Sequence, residues 1–240
     1  EKIYGDHPLL GDKVEGGWKM EYAREFDMTN DSKLFRPRPD WEREGYRPDE
    51  YGRWIGPEGD VALPLYEGRM IGQFDFSEKG WVSGKGRTAK WREIPFHQKV
   101  IEPQYLMAQT TYLDSEKAVR GYKVGFMDIT SATNARTMIA AAICNLPCGN
   151  STPVLKIGGG GVAECLALTS VLNSLAYDFV ARRRCGGLHL NWFVIDETPI
   201  PRMPDGLSRA FLVRHAARLT FTHPMFAAEW LRLRQIIQGV

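Results

Sequence analysis

Cysteine and histidine are scarce in this sequence of 240 residues, and neither is spaced as a metal site requires. The five histidines are scattered, and the four cysteines lie in the apolar middle of the chain, at Cys144, Cys148, Cys165 and Cys185. Cys144 and Cys148 form a C-x3-C pair, but no histidine pair follows at ligand spacing. The pattern therefore predicts a reduced intracellular protein without a zinc site.

Long apolar runs, a signal peptide and a strong net charge are also missing. No apolar stretch approaches the ~20 residues of a membrane-spanning helix, so we expect a cytoplasmic protein with no membrane partner. The formal net charge is only +2, so any surface for nucleic acid must be a local patch. Basic residues outnumber acidic ones between residues 182 and 234, whereas residues 1–60 are mixed and rather acidic. The chain starts at Glu1, inside what the pattern predicts to be an element already under way, so we expect a piece of a larger protein.

Turn-forming residues are frequent in the first part of the chain. Glycine and proline interrupt residues 1–60 too often for long helices, so extended segments and loops are predicted there. The polar stretches 40–53 and 83–92 are typical of surface loops. Apolar residues predict strands over 61–66, 70–76, 104–113 and 120–129.

Helical patterns dominate the second half. Thr130, Ser131 or Thr133 can cap a helix over 134–144. The pattern then predicts a strand over 153–157, a long helix from 162 to about 183, a strand over 188–195, and helices over 206–219 and 224–237. This order predicts an α+β fold with a mixed, mainly antiparallel sheet, a long central helix and a C-terminal helical tail. We expect one domain over 1–204, strand-rich over 1–130 with a helix–strand core over 131–204, and a tail over 205–240 that continues in the parent protein.

A glycine-rich turn, Gly158–Gly161, is the first candidate site. It joins a predicted strand to a predicted helix, and Gly158, Gly160 and Ala163 fit the G-x-G-x-x-A pattern of a dinucleotide-binding turn. That fold also needs an acidic residue ~20 residues later, at the end of the next strand. Here the next strand is farther away, and its terminal acid is Asp196. A flexible turn is therefore favoured, and a nucleotide-binding small-molecule enzyme is kept as an alternative.

The second candidate is a corner of three consecutive arginines at the end of the long predicted helix, Arg182, Arg183 and Arg184. Gly186 and Gly187 follow and allow the backbone to approach a ligand closely, and His189 or Asn191 could hydrogen-bond nearby. Guanidinium groups suit phosphate oxygens and guanine edges. The alternative is a solvated helix C-terminus, where cations meet the helix dipole and glycine ends the helix.

Two further groups extend that predicted surface. The predicted helix start carries Asn134, Arg136 and Thr137, and a helix N-terminus suits phosphate binding or contact with a groove. The alternative is a capped core helix with no ligand. Lys85 and Arg87 lie in a glycine-rich loop and could add a second contact across the groove.

Five blocks of the sequence resemble one protein family. They are EFDMTNDSKLF (25–35), LPLYEGRMIGQFDF (63–76), GFMDITSATNARTMIAAAI (125–143), VLNSLAYDFVARRRCGGLHLNWFVIDETPIP (171–201) and LVRHAARLTFTHPMFAAEW (212–230). Together they are similar to the C-terminal target-recognition region of bacterial type II, type IIG-like restriction–modification enzymes. In that family an N6-adenine DNA methyltransferase, TaqI-like or Eco-type, is fused to its specificity domain.

The resemblance implies a specificity domain that binds double-stranded DNA beside an upstream methyltransferase domain of the same chain. The family's catalytic signatures are missing: we find no Asn/Asp-Pro-Pro-Tyr/Phe motif and no glycine-rich loop suited to S-adenosylmethionine. We therefore expect no catalytic residue and no cofactor in this fragment. The parent is expected to hold S-adenosylmethionine, and Mg²⁺ if it also cleaves DNA. A protein-interaction module, whose tail helices dock on a partner, is the other alternative.

Overall fold

Short strands and helices alternate along residues 2–238, which a computed structural model describes. The strands are β1 (Met20–Ala23), β2 (Phe35–Pro37), β3 (Arg47–Pro48), β4 (Trp54–Ile55), β5 (Val61–Leu65), β6 (Lys79–Ser83), β7 (Lys90–Glu93), β8 (Tyr105–Ala108), β9 (Lys123–Phe126), β10 (Ala140–Ile143) and β11 (Val154–Ile157). The α-helices are α1 (Lys2–Asp6), α2 (Arg38–Arg43), α3 (Gln109–Asp114), α4 (Val162–Leu172), α5 (Leu175–Arg184), α6 (Trp192–Asp196), α7 (Gly206–Thr220) and α8 (Ala227–Gln238). Glu1 and the last two residues of the predicted tail lie outside the described residues.

Two antiparallel sheets form the framework. The first has the strand order β1-β11-β9-β10, the second has the order β2-β8-β5-β4-β3, and β6 and β7 form a separate hairpin. Isolated parallel bridges pair Phe26 with Gly149 and Tyr66 with Cys148, which ties the end of β1 to the end of β5 through residues 148 and 149. The predicted α+β fold, with its mainly antiparallel strands and C-terminal helices, is confirmed.

Helix α4 lies at the centre of the main core. It packs on β9 and β10 of the first sheet and, on its other side, against α7, so most of its residues are buried. A helix covered on both sides is apolar nearly all round. Val213, Ala216 and Ala217 of α7 belong to the same core. The predicted tail therefore packs directly on the central helix. Within residues 2–238, no helix combines the length and the apolar composition that crossing a membrane requires.

The long helix predicted from residue 162 to about 183 is two helices, because Asn173 interrupts it. The Asn173 side chain donates to the Ala140 carbonyl at 2.8 Å and accepts from the Ala140 amide at 3.0 Å, as a neighbouring strand would. Ser174 then caps α5 by accepting from the Tyr177 amide at 3.1 Å. The prediction of one continuous helix is wrong because this side chain bonds to a strand and the next hydroxyl starts a new helix.

The helix predicted over 134–144 is also wrong. Residues 134–139 are irregular, and Ala140–Ile143 form β10, whose four residues are all buried beneath α4. Alanine has the highest helix propensity, but burial between a strand and a helix overrides it.

The strand predicted over 188–195 is wrong for a related reason. Residues 186–191 form a loop, and α6 begins at Trp192. The amide of Thr130 donates to Leu188 O at 3.0 Å, and the amide of Leu190 donates to Asp128 O at 2.8 Å. This strand-like contact is local, and it ends where α6 begins.

In the first half of the chain, the predicted and observed helices and strands differ less. The strand predicted over 70–76 is wrong, since these residues form turns in which Phe74 has a left-handed backbone with φ of 61°. The stretch 104–113 is strand only to Ala108 and continues as α3. The segments predicted as extended or looped also contain α1, α2 and β7. The strands predicted over 61–66, 120–129 and 153–157 and the two tail helices are confirmed.

Candidate functional site

The three arginines at the end of α5 point to different partners. One guanidinium nitrogen of Arg182 donates to Ala132 O at 3.1 Å and to Asn134 O at 2.8 Å. The other donates to Ala135 O at 2.8 Å and to the Asp178 carboxylate at 3.0 Å. Arg182 therefore fixes the loop that begins after β9, and both terminal nitrogens of its guanidinium group already donate within the protein.

Arg183 and Arg184 differ in whether their guanidinium groups have an ionic partner. The Arg183 guanidinium is exposed, lies 5.1 Å from the centre of the Phe179 ring, and makes no ion pair within residues 2–238. Arg184 bonds to Glu197 and lies 3.5 Å from the Tyr4 hydroxyl. The expectation of three guanidinium groups beside one loop is corrected, because only Arg183 of the three faces solvent without an ionic partner.

Asp178 supports the loop that the sequence predicts as a helix start. One of its carboxylate oxygens accepts from the amides of Thr137 and Met138, both at 2.8 Å. Although burial opposes ionisation, these amides and Arg182 hold the pKa of Asp178 below its ordinary value. Arg136 donates to Asn173 O and lies 3.9 Å from Asp178. The carboxylate is thus a fixed anchor under the loop.

The three residues predicted at that helix start have different surroundings. The Thr137 side chain is fully buried and its hydroxyl donates to Ser131 O at 3.1 Å, so the predicted direct DNA contact is corrected to a supporting role. Arg136 is half-buried and also holds the loop. Asn134 is exposed, and its amide nitrogen lies 3.3 Å from the Thr130 hydroxyl. Only Asn134 presents its side chain to solvent.

The loop over residues 186–191 lies beside this first loop, a contact that was not predicted. A ring nitrogen of His189 lies 2.9 Å from the Asp128 carboxylate, whose other oxygen accepts from Arg24 at 3.2 Å. Gly186 and Gly187 are exposed with open space around them. Asn191 precedes α6 without a side-chain cap bond. We call residues 128–137 and 186–191 the loop pair.

Lys85 and Arg87 lie at the exposed tip of the β6–β7 hairpin. Gly84 has φ of +77°, and a Cβ there would lie 2.4 Å from Thr88 O, so the turn requires glycine. Neither basic side chain forms a hydrogen bond or an ion pair within residues 2–238. Both cations are available to a ligand.

A cavity of about 380 Å³ lies between the hairpin tip and the loop pair. Its wall includes Gly86 at the tip and Ile129, which pairs with His189. The turn after β5 supplies Glu67, Gly68 and Arg69. We call this the junction cavity. The structure thus places Gly86, in the predicted surface loop 83–92, and Ile129, which bridges to the 186–191 loop, in the wall of one cavity.

Glu67 was not among the predicted site residues. Its carboxyl group accepts no hydrogen bond within residues 2–238, and one oxygen is inaccessible to solvent. Burial raises the pKa of Glu67 to about 7, and Arg69 opposes that rise. The neighbouring Gly68 is needed for close backbone approach, since a Cβ there would lie 2.5 Å from Ser151 O. The only sequence signal is a polar residue and a glycine that follow strand β5 after Tyr66.

The Gly158–Gly161 turn has a different role from phosphate binding. A carboxylate oxygen of Glu164 accepts from the Gly161 amide at 2.8 Å, and the other oxygen bonds to Arg209. An anion from α4 itself therefore occupies the helix start that a nucleotide phosphate would need.

Comparison of the chain with protein-family models found no match, and comparison with curated proteins found none either.

Proposed function

We propose that this chain is the DNA target-recognition domain of a bacterial modification or restriction–modification enzyme. The observation that supports this most is a group of exposed cations at the junction cavity: Lys85 and Arg87 at the hairpin tip and Arg69 at the wall. None of them is neutralised by an ion pair within residues 2–238. Unpaired cations on a nearly neutral protein form the local patch that phosphate binding needs.

The loop pair adds polar side chains to this surface, held in fixed positions. Asn134 and His189 lie on adjacent loops. Hydrogen bonds to the carboxylates of Asp178 and Asp128 fix those loops. Phosphate contacts position a protein on duplex DNA, and side chains on such loops contact base edges. Arg182 and Arg136 contribute by fixing the first loop, and Arg183 adds an exposed cation at the start of the second.

In the parent enzyme, an upstream domain would methylate adenine. That domain would hold S-adenosylmethionine, and Mg²⁺ would be needed if the parent also cleaves DNA. A methyltransferase that flips one base out of the duplex needs other contacts to identify the surrounding sequence. The present chain would supply those contacts and would not be catalytic by itself.

The test is a titration of fluorescent duplex DNA at several salt concentrations with a Lys85→Ala/Arg87→Ala variant. The slope of log K against log salt should fall by roughly 2 units, because about two fewer counterions are released. The matched control is Lys13→Ala/Arg234→Ala, which removes the same charge from exposed positions outside the junction cavity. Equal slopes for both variants and the unmodified protein would contradict the proposed surface.

A protein-docking function has one observation in its favour. Leu207 and Phe211, one turn apart on α7, are 91% and 61% exposed. Exposed apolar pairs of this kind can mark a contact with a partner. Concentration-dependent association in analytical ultracentrifugation, without any DNA affinity, would favour docking over DNA recognition.

A further inference from the structure

The β6–β7 hairpin carries its positive charge on an exposed tip. It forms a separate two-stranded sheet, and the consecutive residues 82–88 around its turn are all exposed. Three cations lie at or beside the turn, and none of their side chains forms a hydrogen bond or an ion pair within residues 2–238: Lys85, Arg87 and Lys90. The sequence contains no acidic residue between positions 79 and 92. The described part of the chain therefore leaves this charge free for a ligand.

The stem of the hairpin is fixed to the rest of the protein. Trp81 and Trp91 are direct partners across the two strands, and the Arg38 guanidinium lies 4.8 Å from the centre of the Trp81 ring. The Trp81 amide donates to Glu102 O at 2.8 Å, and Arg92 donates twice to the Glu102 carboxylate, at 2.8 and 2.6 Å. A ligand that binds the hairpin therefore does not have to order it, which lowers the entropic cost of binding.

Hydrogen bonds also fix the backbone of the turn itself. The Trp81 indole nitrogen donates to Gly84 O at 2.9 Å. The hydroxyl and the amide of Thr88 both donate to Lys85 O, at 2.9 and 3.1 Å. The register between the strands shifts between Trp81 and Ser83, as in a β-bulge, which changes the direction in which a strand points. The turn thus holds one backbone arrangement without a ligand.

The hairpin is suited to double-stranded rather than single-stranded nucleic acid. Proteins that bind single strands stack the bases on exposed aromatic side chains. Between residues 79 and 93 the aromatic residues are Trp81, which is only 8% exposed, and Trp91, which is half-buried. Neither offers a free ring face at the tip, whereas the unpaired cations suit the phosphates of a duplex.

The width of a two-stranded ribbon selects one kind of groove. Neighbouring strands lie about 4.8 Å apart, and their side chains add to that width. The major groove of B-form DNA is about 12 Å wide and admits such a ribbon, whereas the minor groove is only about 6 Å wide. The major groove of A-form RNA is too narrow and deep for protein side chains to read.

We propose that the β6–β7 hairpin enters the major groove of B-form DNA. Its three cations bind phosphates of the strands that border the groove, and the exposed hydroxyl groups of Ser83 and Thr88 face base edges. A hydroxyl both donates and accepts, so it can bond to the donors and to the acceptors that base pairs present there. This role of the hairpin rests on the proposed DNA-recognition function.

The test uses a DNA duplex that the unmodified protein enriches from a random-sequence library. Fluorescence anisotropy measures the affinity for this duplex, for the same duplex with a bulky uncharged group at C5 of every pyrimidine, and for an RNA duplex of the same sequence. The C5 groups fill the major groove and leave the phosphates and the minor groove unchanged. The blocked DNA and the RNA should each bind about tenfold more weakly than the unblocked DNA.

Two hairpin variants separate base contacts from phosphate contacts. Ser83→Ala/Thr88→Val keeps the charge and should reduce the tenfold difference to about threefold or less, with an unchanged salt dependence. Its matched control, Ser208→Ala/Thr110→Val, removes the same groups at exposed positions outside the hairpin and the junction cavity, and should keep the tenfold difference. Lys90→Ala should lower the slope of log K against log salt by roughly 1 unit. Circular dichroism checks that all variants are folded.

The outcomes distinguish the groove from the DNA-recognition function. Enrichment of one sequence, with equal affinity for the unblocked DNA, the blocked DNA and the RNA, overturns the placement in the major groove and leaves DNA recognition standing. A tenfold difference that survives in the Ser83→Ala/Thr88→Val variant as it does in the control shows that another element enters the groove, and overturns the role of the hairpin. The absence of affinity for any duplex overturns both proposals, as does binding that enriches no sequence.

Discussion

The ionisation of Glu67 links the candidate site to the stability of the fold. Burial raises the pKa of Glu67 to about 7, above the value of 4.5 for an exposed glutamate. The unfolded chain therefore loses this proton at lower pH than the folded protein does. The stabilising contribution of the protonated carboxyl is complete below about pH 4.5 and is lost as the pH rises through about 7.

We expect Glu67→Gln to become relatively more stable than the unmodified protein as the pH rises. The difference in the free energy of unfolding between the two proteins should change by about 2–3 kcal/mol between pH 4.5 and pH 8, since one pKa unit corresponds to about 1.4 kcal/mol. Urea unfolding at a series of pH values measures this difference. Glu21→Gln, at an exposed position, is the control and should follow the unmodified protein. A Glu67→Gln curve parallel to that of the unmodified protein would show that the carboxyl titrates normally.

Single residues of the site could be predicted from the sequence only in part. Lys85, Arg87 and the glycines at 186 and 187 stand out by residue type, and all of them are exposed. The partners of Arg182 could not be predicted, because they are carbonyl groups about 50 residues earlier in a loop of no regular structure. Glu67 could not be distinguished either, since the chain has many carboxylates and only the fold shows which one is buried.

Helices and strands were predicted well where the local pattern of apolar residues alone determines them. Strand β5 and helices α7 and α8 follow their apolar patterns directly. The alanine-rich stretch of β10 was predicted as a helix because local propensity favours helix, whereas its burial under α4 comes from the tertiary structure. The break between α4 and α5 depends on one side chain that bonds to a strand more than 30 residues away in sequence. The pattern of apolar residues does not reveal such a long-range hydrogen bond.

Asn173 therefore provides a test at the level of elements. Asn173→Ala removes both side-chain hydrogen bonds to Ala140 and leaves the buried Ala140 amide at the edge of the first sheet unpaired, while the Ala140 carbonyl keeps the hydrogen bond from the Phe74 amide at 3.0 Å. The free energy of unfolding should fall by about 1–3 kcal/mol, because the unsatisfied buried amide keeps its desolvation cost. Urea unfolding followed by circular dichroism measures the loss. Asn30→Ala, at an exposed turn, should change the stability by less than about 0.5 kcal/mol. A loss for Asn173→Ala as small as this would mean that the sheet edge finds other partners.

At the scale of the whole molecule, one buried ion pair connects the two sheets. Lys123 of β9 lies 2.6 Å from Glu25, and both side chains are fully buried. Glu25 also accepts from the amides of Val119 and Cys148, and the Lys123 ammonium lies 3.3 Å from the Tyr112 hydroxyl on α3 beside the second sheet. The pair therefore holds the first sheet, the segment at residue 148 and the second sheet in one arrangement, and the junction cavity lies where these parts meet.

Removing one member of this pair should affect the entire fold. Lys123→Met leaves the Glu25 carboxylate buried without its cation, which should lower the free energy of unfolding by about 3–5 kcal/mol. The double variant Glu25→Gln/Lys123→Met should recover most of that loss, because no buried charge remains and an amide oxygen can still accept from a backbone amide. Unfolding in urea is followed by tryptophan fluorescence, to which the seven tryptophans of both sheet regions contribute, and by circular dichroism, which reports mainly the helices. If the two sheets form one cooperative unit, both signals change at the same urea concentration in every variant. Separate midpoints would show that the sheets unfold independently, and the junction cavity would then lie between two units whose relative position the ion pair does not fix.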